Sequence, residues 1–201
     1  MLNILTLSGS PIKESSTEIL LGQIVLGIAE SSEEKVHDEL IRLNDIEFRP
    51  CQSCGESPEP DWCLYKDDIY PVYDKLANSD IILFGSPVYF DTVSAQAKSF
   101  IDRCNCLRPP DFGIESQSHF KKVLPKKRLG GIVLVGGERG KFECARTVIA
   151  GFFKWIWVEN CGVVSYAGSR WKEIGPVKDD SDKLNEAFAL GKKISQRISI
   201  Y

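Results

Sequence analysis

Short apolar runs alternate along this chain with longer segments of helical spacing, and several of the runs stop at a cluster of glycine, serine and proline. This alternation is the strongest constraint on the fold. Leu2 to Leu7 reads as a strand and stops at Ser8-Gly9-Ser10-Pro11. Asp80 to Phe84 reads as a buried strand stopping at Gly85-Ser86-Pro87, and Gly131 to Val135 as another stopping at Gly136-Gly137. Val36 to Leu43 and Cys161 to Tyr166 supply two more strands. Helices are predicted over Ser16 to Ala29, Thr92 to Arg103, Lys141 to Val158 and Ser181 to Ile198, with a short one in the loop before Asp80. Short buried strands alternating with amphipathic helices predict an α/β fold: a parallel sheet covered on both faces, with right-handed crossovers. Such a sheet binds ligands beyond the carboxyl ends of its strands, where the strand order switches. Three of the five predicted strands end there in glycine-, serine- or proline-bearing loops, namely Ser8 to Thr17, Gly85 to Thr92 and Gly136 to Gly140. Those loops are the candidate site.

The length of 201 residues suits one domain spanning 1–201. A charge of −3, from 25 basic and 28 acidic residues, gives no bulk attraction to nucleic acid. With 43% apolar and 26% charged residues, disorder, collagen and coiled coil are excluded. No apolar run approaches the ~20 residues that cross a bilayer, so no membrane partner is expected. Ile19 to Ala29 is broken by Gly22, Gln23 and Gly27, with no basic region before it and no cleavage site after it, so it does not read as a signal peptide. The expected location is the cytoplasm.

The first loop has the makings of a phosphate cradle. Backbone N–H groups at a helix N-terminus are unpaired and lie at the positive end of the dipole. Gly9 permits a close turn, Ser8, Ser10, Ser15, Ser16 and Thr17 offer hydroxyls, and Lys13 offers charge. Neither GxxxxGK[ST] nor GxGxxG is present, so the loop fits a terminal monophosphate better than a triphosphate or a dinucleotide. The plainer alternative is an ordinary Ser/Thr helix cap. Glu14 should point away from an anion. In the second loop, Pro87 holds the chain extended, and Tyr89 and Phe90 can wall a flat ring. In the third, Gly136 and Gly137 permit close backbone approach.

These motifs resemble the flavodoxin-like NAD(P)H-dependent FMN reductases, the group that includes multimeric flavodoxins and iron–sulfur flavoproteins. In the first loop Ser8, Gly9, Ser10, Pro11, Lys13, Ser15 and Thr17 match; Ile12 replaces a basic residue, and Glu14 and Ser16 replace asparagines. The block Ser86-Pro87-Val88-Tyr89-Phe90, continued by Ser94-Ala95-Gln96, Lys98 and Phe100-Ile101-Asp102-Arg103, is the most specific match. The resemblance covers nearly the whole chain and is strongest up to residue 104. It implies a flavodoxin-like, doubly wound five-stranded sheet of order 2-1-3-4-5. It implies FMN bound by Ser8, Ser10, Pro11, Lys13, Ser15, Ser16 and Thr17 at the phosphate. Pro87, Val88, Tyr89, Phe90, Gly136, Gly137 and Glu138 would lie around the ring. NAD(P)H is the implied co-substrate, and a homodimer or homotetramer the implied assembly. The cofactor supplies the redox chemistry, so no catalytic residue is named.

Two segments fit less well. One is a cysteine-rich loop at about 47–68, holding Cys51, Cys54 and Cys63 followed by Asp67-Asp68. It resembles the segment that binds a 4Fe–4S cluster in iron–sulfur flavoproteins, with Ser57 where the third cysteine would stand. No metal is assigned; a cluster, zinc and unligated or redox-active thiols remain open, and Cys104 or Cys106 could complete a ligand set in space. Cys144 and Cys161 read as small buried hydrophobes. The other segment is a long loop at about 104–128 with a basic cluster, Lys121, Lys122, Lys126, Lys127 and Arg128. It reads as a solvated loop, with contact to nicotinamide phosphates as the alternative. His37 and His119 read as non-catalytic. Trp62 is a further candidate for the cavity wall. The run Phe152 to Val158 reads as buried core or, alternatively, an interface. The expected function is electron transfer from NAD(P)H through FMN to an acceptor such as a quinone. The alternatives are an FMN electron carrier for protein partners and a phosphate-ligand sensor without redox activity.

Overall fold

In the strand β3 (Ile81–Tyr89) eight successive residues are buried, which only an interior strand with both faces covered allows. Their side chains alternate: Ile81 and Leu83 join one core layer, Ile82 and Phe84 the other. The computed structural model describes residues 1–55, 61–111, 122–170 and 172–198. Ser57, His119 and Lys121 lie outside them.

Around β3 the sheet is built from β1 (Leu2–Ser8), β2 (Val36–Arg42), β4 (Arg128–Gly137) and β5 (Val158–Gly168). Its order is β2-β1-β3-β4-β5 and every pairing is parallel. This is the expected 2-1-3-4-5 order. The switch point falls between β1 and β3, paired from Ile4↔Ile81 to Ser8↔Gly85. Helices α1 (Ser16–Ser31) and α5 (Ser181–Ile198) cover one face through Leu20, Ile24, Leu190 and Ile194. Helices α2 (Tyr70–Asn78), α3 (Ala95–Arg103) and α4 (Glu143–Trp155) cover the other. Phe84, Phe100 and Phe152 interlock there, with T-shaped pairs at 5.6 and 6.1 Å, each worth about 1 kcal/mol beyond burial.

The structure shifts several expected boundaries. β3 does not stop at Phe84 but runs through Pro87 to Tyr89. Pairing with β1 ends at Gly85, so one flank of β3 is open where proline removes a donor. The predicted helix from Thr92 begins at Ala95, because Thr92 and Val93 fold back as a short strand on Tyr89 and Val88. The predicted helix to Val158 ends at Trp155, and Trp157 turns left-handed at φ 60°. The aromatic run there is mostly core: Phe152, Phe153, Ile156 and Val158 are buried and Trp155 is exposed. Cys161 is buried as expected, but Cys144 is exposed, because it falls on the solvent side of the first turn of α4.

Of the basic cluster, Lys126, Lys127 and Arg128 are each engaged by partners. Lys126 pairs with Asp80 and Lys127 with Glu159, each at 2.6 Å. Arg128 is 1% exposed and donates to the carbonyls of Leu76, Ala77 and Ile156. All three sit at the start of β4, the opposite sheet edge from the loops at its end. Among the described residues no helix is long and apolar enough to cross a membrane.

Candidate functional site

The carboxyl ends of β1, β3, β4 and β5 open into a cavity of about 430 Å³, within the range of small-molecule sites. Its first wall is the β1–α1 loop. Ser15 caps α1, its Oγ accepting from the Glu18 N–H at 3.4 Å. The Glu18 carboxylate reaches back to the Glu14 N–H at 2.9 Å and is neutralised by Arg42 Nε at 2.7 Å. That closes a variant of the capping box, and the arginine removes the obstacle a bare carboxylate would pose to an anion. Glu14 itself is exposed, as expected. Gly9 earns its place by packing rather than by turning: an added Cβ would lie 2.9 Å from Ala97 Cβ and Ser94 Oγ.

The second wall is a hairpin. Between the Tyr89↔Thr92 pair, Phe90 and Asp91 both have positive φ, 49° and 62°. A two-residue hairpin turn needs that geometry and ordinarily takes it from Asn-Gly, so two non-glycine residues there carry strain at the cavity mouth. The turn throws Phe90 fully into solvent, and Asp91 Oδ1 accepts from the Lys141 N–H at 2.9 Å, tying the hairpin to the loop after β4. Gly136 supplies the third wall, with the Phe142 ring 3.1 Å from where its Cβ would stand.

Of the sequence-predicted residues, Ser10, Ser15, Ser16, Thr17, Pro87, Val88, Tyr89, Phe90, Gly136 and Gly137 line this one cavity. Ser8, Pro11, Lys13 and Glu138 do not line it. Ser8 is fully buried and bonded to Glu18 and the Ser10 N–H. Lys13 is 77% exposed and stands 3.9 Å from Asp45. Trp62 is also elsewhere, packed on Tyr73 with its Nε1 donating to Asp74 at 2.7 Å. His37 is exposed on β2.

A fourth wall was missed by sequence reasoning: Tyr166 and Gly168 of β5, then Arg170, Glu173, Ile174, Gly175 and Pro176. Gly175 sits at φ 60°, and an added Cβ would fall 2.6 Å from the Glu14 carbonyl oxygen. The Val177 N–H donates to Ser16 Oγ at 3.2 Å, so this segment is bolted to the first loop. Arg170 lines the cavity where Lys13 does not, its guanidinium paired at 2.8 Å with both Glu173 and Asp179. The only local signal was the Gly175-Pro176 turn dipeptide.

The cysteine segment builds a second, separate pocket. Cys51, Cys54, Cys63 and Cys106 all line it, with Arg103. All seven cysteines stand as thiols. Arg103, its side chain 1% exposed, pairs with Asp67 at 2.6 Å, donates to the Arg49 carbonyl and lies 3.7 Å from Cys63 Sγ. Burial pushes the Asp67 carboxyl up, but Arg103 and the Arg49 N–H outweigh it and hold the net value below the ordinary one. Burial, with Cys63 adding to it, pushes the Cys106 thiol up to about 12, and burial raises Cys104 well above its usual range. Both are protonated at neutral pH, which argues against redox-active thiols there. Among the described residues no three His, Cys, Asp or Glu side chains are gathered closely enough to hold one metal ion. A cubane cluster spreads its four thiolates around a cage, and four cysteines facing one pocket match that donor set.

Fold and cavity together define a flavodoxin-like α/β protein with a ligand-sized cavity at the carboxyl edge of its sheet. Residues 2–167 match the NADPH-dependent FMN reductases, and the chain belongs to that family. It is 33% identical over 205 residues to an iron–sulfur flavoprotein of Methanocaldococcus jannaschii, covering 99% of this chain and 98% of that protein. An iron–sulfur flavoprotein of Methanosarcina thermophila is 25% identical over 197 residues, covering 96% and 93%. Among solved structures, a flavone reductase superposes with a TM-score of 0.67 at 15% identity, over 97% of this chain and 62% of that one. A flavodoxin from the Archaea gives 0.55 at 12% identity, over 98% and 99%. The protein is accordingly an NAD(P)H-dependent FMN oxidoreductase. The donor set fits FMN: a hydroxyl-rich helix N-terminus for its phosphate, and an aromatic hairpin facing a glycine turn for its ring.

Proposed function

We propose that this protein passes electrons from NAD(P)H through bound FMN to a small acceptor such as a quinone. The observation that carries the reading is the cavity itself, with hydroxyls and a helix N-terminus at one end and the Pro87–Phe90 hairpin at the other. Ser10, Ser15, Ser16 and Thr17 bind the phosphate through hydroxyls and α1 backbone N–H groups. Pro87, Val88, Tyr89, Phe90, Gly136 and Gly137 hold the ring. When bound, FMN supplies the redox chemistry, and the protein's part is position, electrostatics and exclusion of water. Phe90, fully exposed, and Tyr89, 47% exposed, leave the mouth open to a nicotinamide or an acceptor. The same exposed aromatics support a homodimer or homotetramer in which residues of a neighbouring copy complete the rim of the mouth and leave it open. We place the protein in the cytoplasm, as one FMN-binding domain over 1–201.

The test is anaerobic. Purified protein titrated with FMN should quench flavin fluorescence at one equivalent, and the complex should oxidise one equivalent of NADH or NADPH by itself and turn over further only when a quinone is present. Protein that takes up no FMN would overturn the reading.

A second reading is favoured by the four-cysteine pocket: an FMN and 4Fe–4S electron carrier serving protein partners. The names of its archaeal relatives support it. Reduction by a partner protein but not by NAD(P)H would favour this carrier.

A further inference from the structure

Spacing along the chain gives Cys51, Cys54 and Cys63, with serine at the remaining loop position, Ser57. Three thiols leave a cubane one ligand short. The structure supplies candidates from a distant element, the 3₁₀ turn Cys104–Cys106 that follows α3. Its two cysteines part company. Cys104 is 3% exposed, belongs to the hydrophobic core, and lines a neighbouring pocket with Cys51 rather than this one. Cys106 faces the pocket shared by Cys51, Cys54 and Cys63.

We infer that Cys51, Cys54, Cys63 and Cys106 are the ligands of a 4Fe–4S cluster, with Cys106 replacing the loop position held by Ser57. This rests on the second reading above, that the chain carries a cluster at all, and adds which residues hold it.

Three further features of the pocket suit an anionic cluster. Ser53 and Gly55 both adopt positive φ, 50° and 71°, which turns the Cys51–Gly55 backbone sharply where it lines the pocket. The Ser53 N–H already donates to Cys51 Sγ at 3.4 Å. The Arg103 guanidinium lies 3.7 Å from Cys63 Sγ and can donate a hydrogen bond to it, its charge being shared with Asp67. Uptake of a preformed cluster is a ligand exchange. Four cysteine S–H groups release their protons to solvent, four Fe–S bonds form, four exchangeable thiolates leave the cluster, and no electron is transferred.

The experiment adds a preformed 4Fe–4S cluster carrying small thiolate ligands to the anaerobic FMN-loaded protein. Iron, acid-labile sulfide and flavin are then counted per chain after desalting. Wild type should hold about four irons. Cys106→Ser should lose at least three-quarters of them, or keep only a three-iron cluster by electron paramagnetic resonance, with flavin content unchanged. Cys104→Ala, Cys144→Ser and Ser57→Ala should retain iron. The double variant Cys106→Ser/Ser57→Cys should regain it, which separates ligation from misfolding. Wild type without iron would sink the cluster reading itself. Iron retained in Cys106→Ser but lost in Ser57→Ala would leave the cluster and overturn the role of Cys106.

Discussion

At the N-terminal end of α3, Ser94 is buried and fully bonded. Its Oγ accepts from the Ala97 N–H and donates to the Gly9 carbonyl, and its N–H donates to Ser86 Oγ. At the C-terminal end, Arg103 gathers Asp67, the Arg49 carbonyl and Cys63. The helix is nine residues long, so the two ends stand about 14 Å apart. The first end braces the strand-end cavity with neutral hydrogen bonds and small residues packed in contact. The second fixes the cysteine pocket with one buried ion pair. Neutral contacts of the first kind are insensitive to pH and salt, whereas a pocket hung on one charge pair fails when either partner is removed or neutralised. One rigid helix thus braces both pockets.

The sharpest way to break this comparison is Arg103→Met. It strands the Asp67 carboxylate and should cost about 3 kcal/mol, read as a fall in the urea midpoint. FMN affinity should change less than threefold, and an equal collapse of FMN binding would show that the ends are not independent. Next is Gly175→Ala on the cavity side. A β-carbon at φ 60° and 2.6 Å from the Glu14 oxygen should cost about 2 kcal/mol and weaken FMN about tenfold. Fluorescence titration checks it. Ser94→Ala should cost about 1 kcal/mol and loosen FMN while leaving the reactivity of the cysteine-pocket thiols as in wild type.

A pH experiment sharpens the contrast further. Asp67 has a depressed folded value, so its stabilising contribution is present above the unfolded value of about 3.9 and is lost as pH falls through the folded value. The stability gap between wild type and Asp67→Asn should be flat from neutrality to about pH 5 and close below about pH 4. A gap that persists in acid would mean that the ion pair is not what holds the pocket. The smallest effect is expected of Lys13→Ala, at most twofold on FMN affinity, since Lys13 is turned to solvent. A loss of tenfold would show that the loop swings inward on binding.

Much of the fold was legible because its signals are local. The unbroken apolar run of β3 requires burial on both faces, and Ser15 with Glu18 writes the start of α1 into four consecutive residues. The cavity-facing residues of the first three loops followed, since an open parallel sheet places its site at those strand ends. Boundaries were less legible. Thr92 and Val93 carry helix-compatible neighbours yet pair with β3, a choice made by cross-strand contacts.

The sequence by itself determined the alternation of buried strands and helices and the hydroxyl-rich helix N-terminus, because both are written in local residue patterns. Only the tertiary structure decided that Gly168, Arg170 and the Glu173–Pro176 turn close the cavity, because Glu14 and Ser16, which meet Gly175 and Val177, lie about 160 residues away. Only it decided that Lys13 yields to Arg170 at the cavity. It also parted Cys104 from Cys106. In a 3₁₀ turn of three residues, positions two apart point some 120° from one another, so one thiol enters the core and the other meets the cysteine loop.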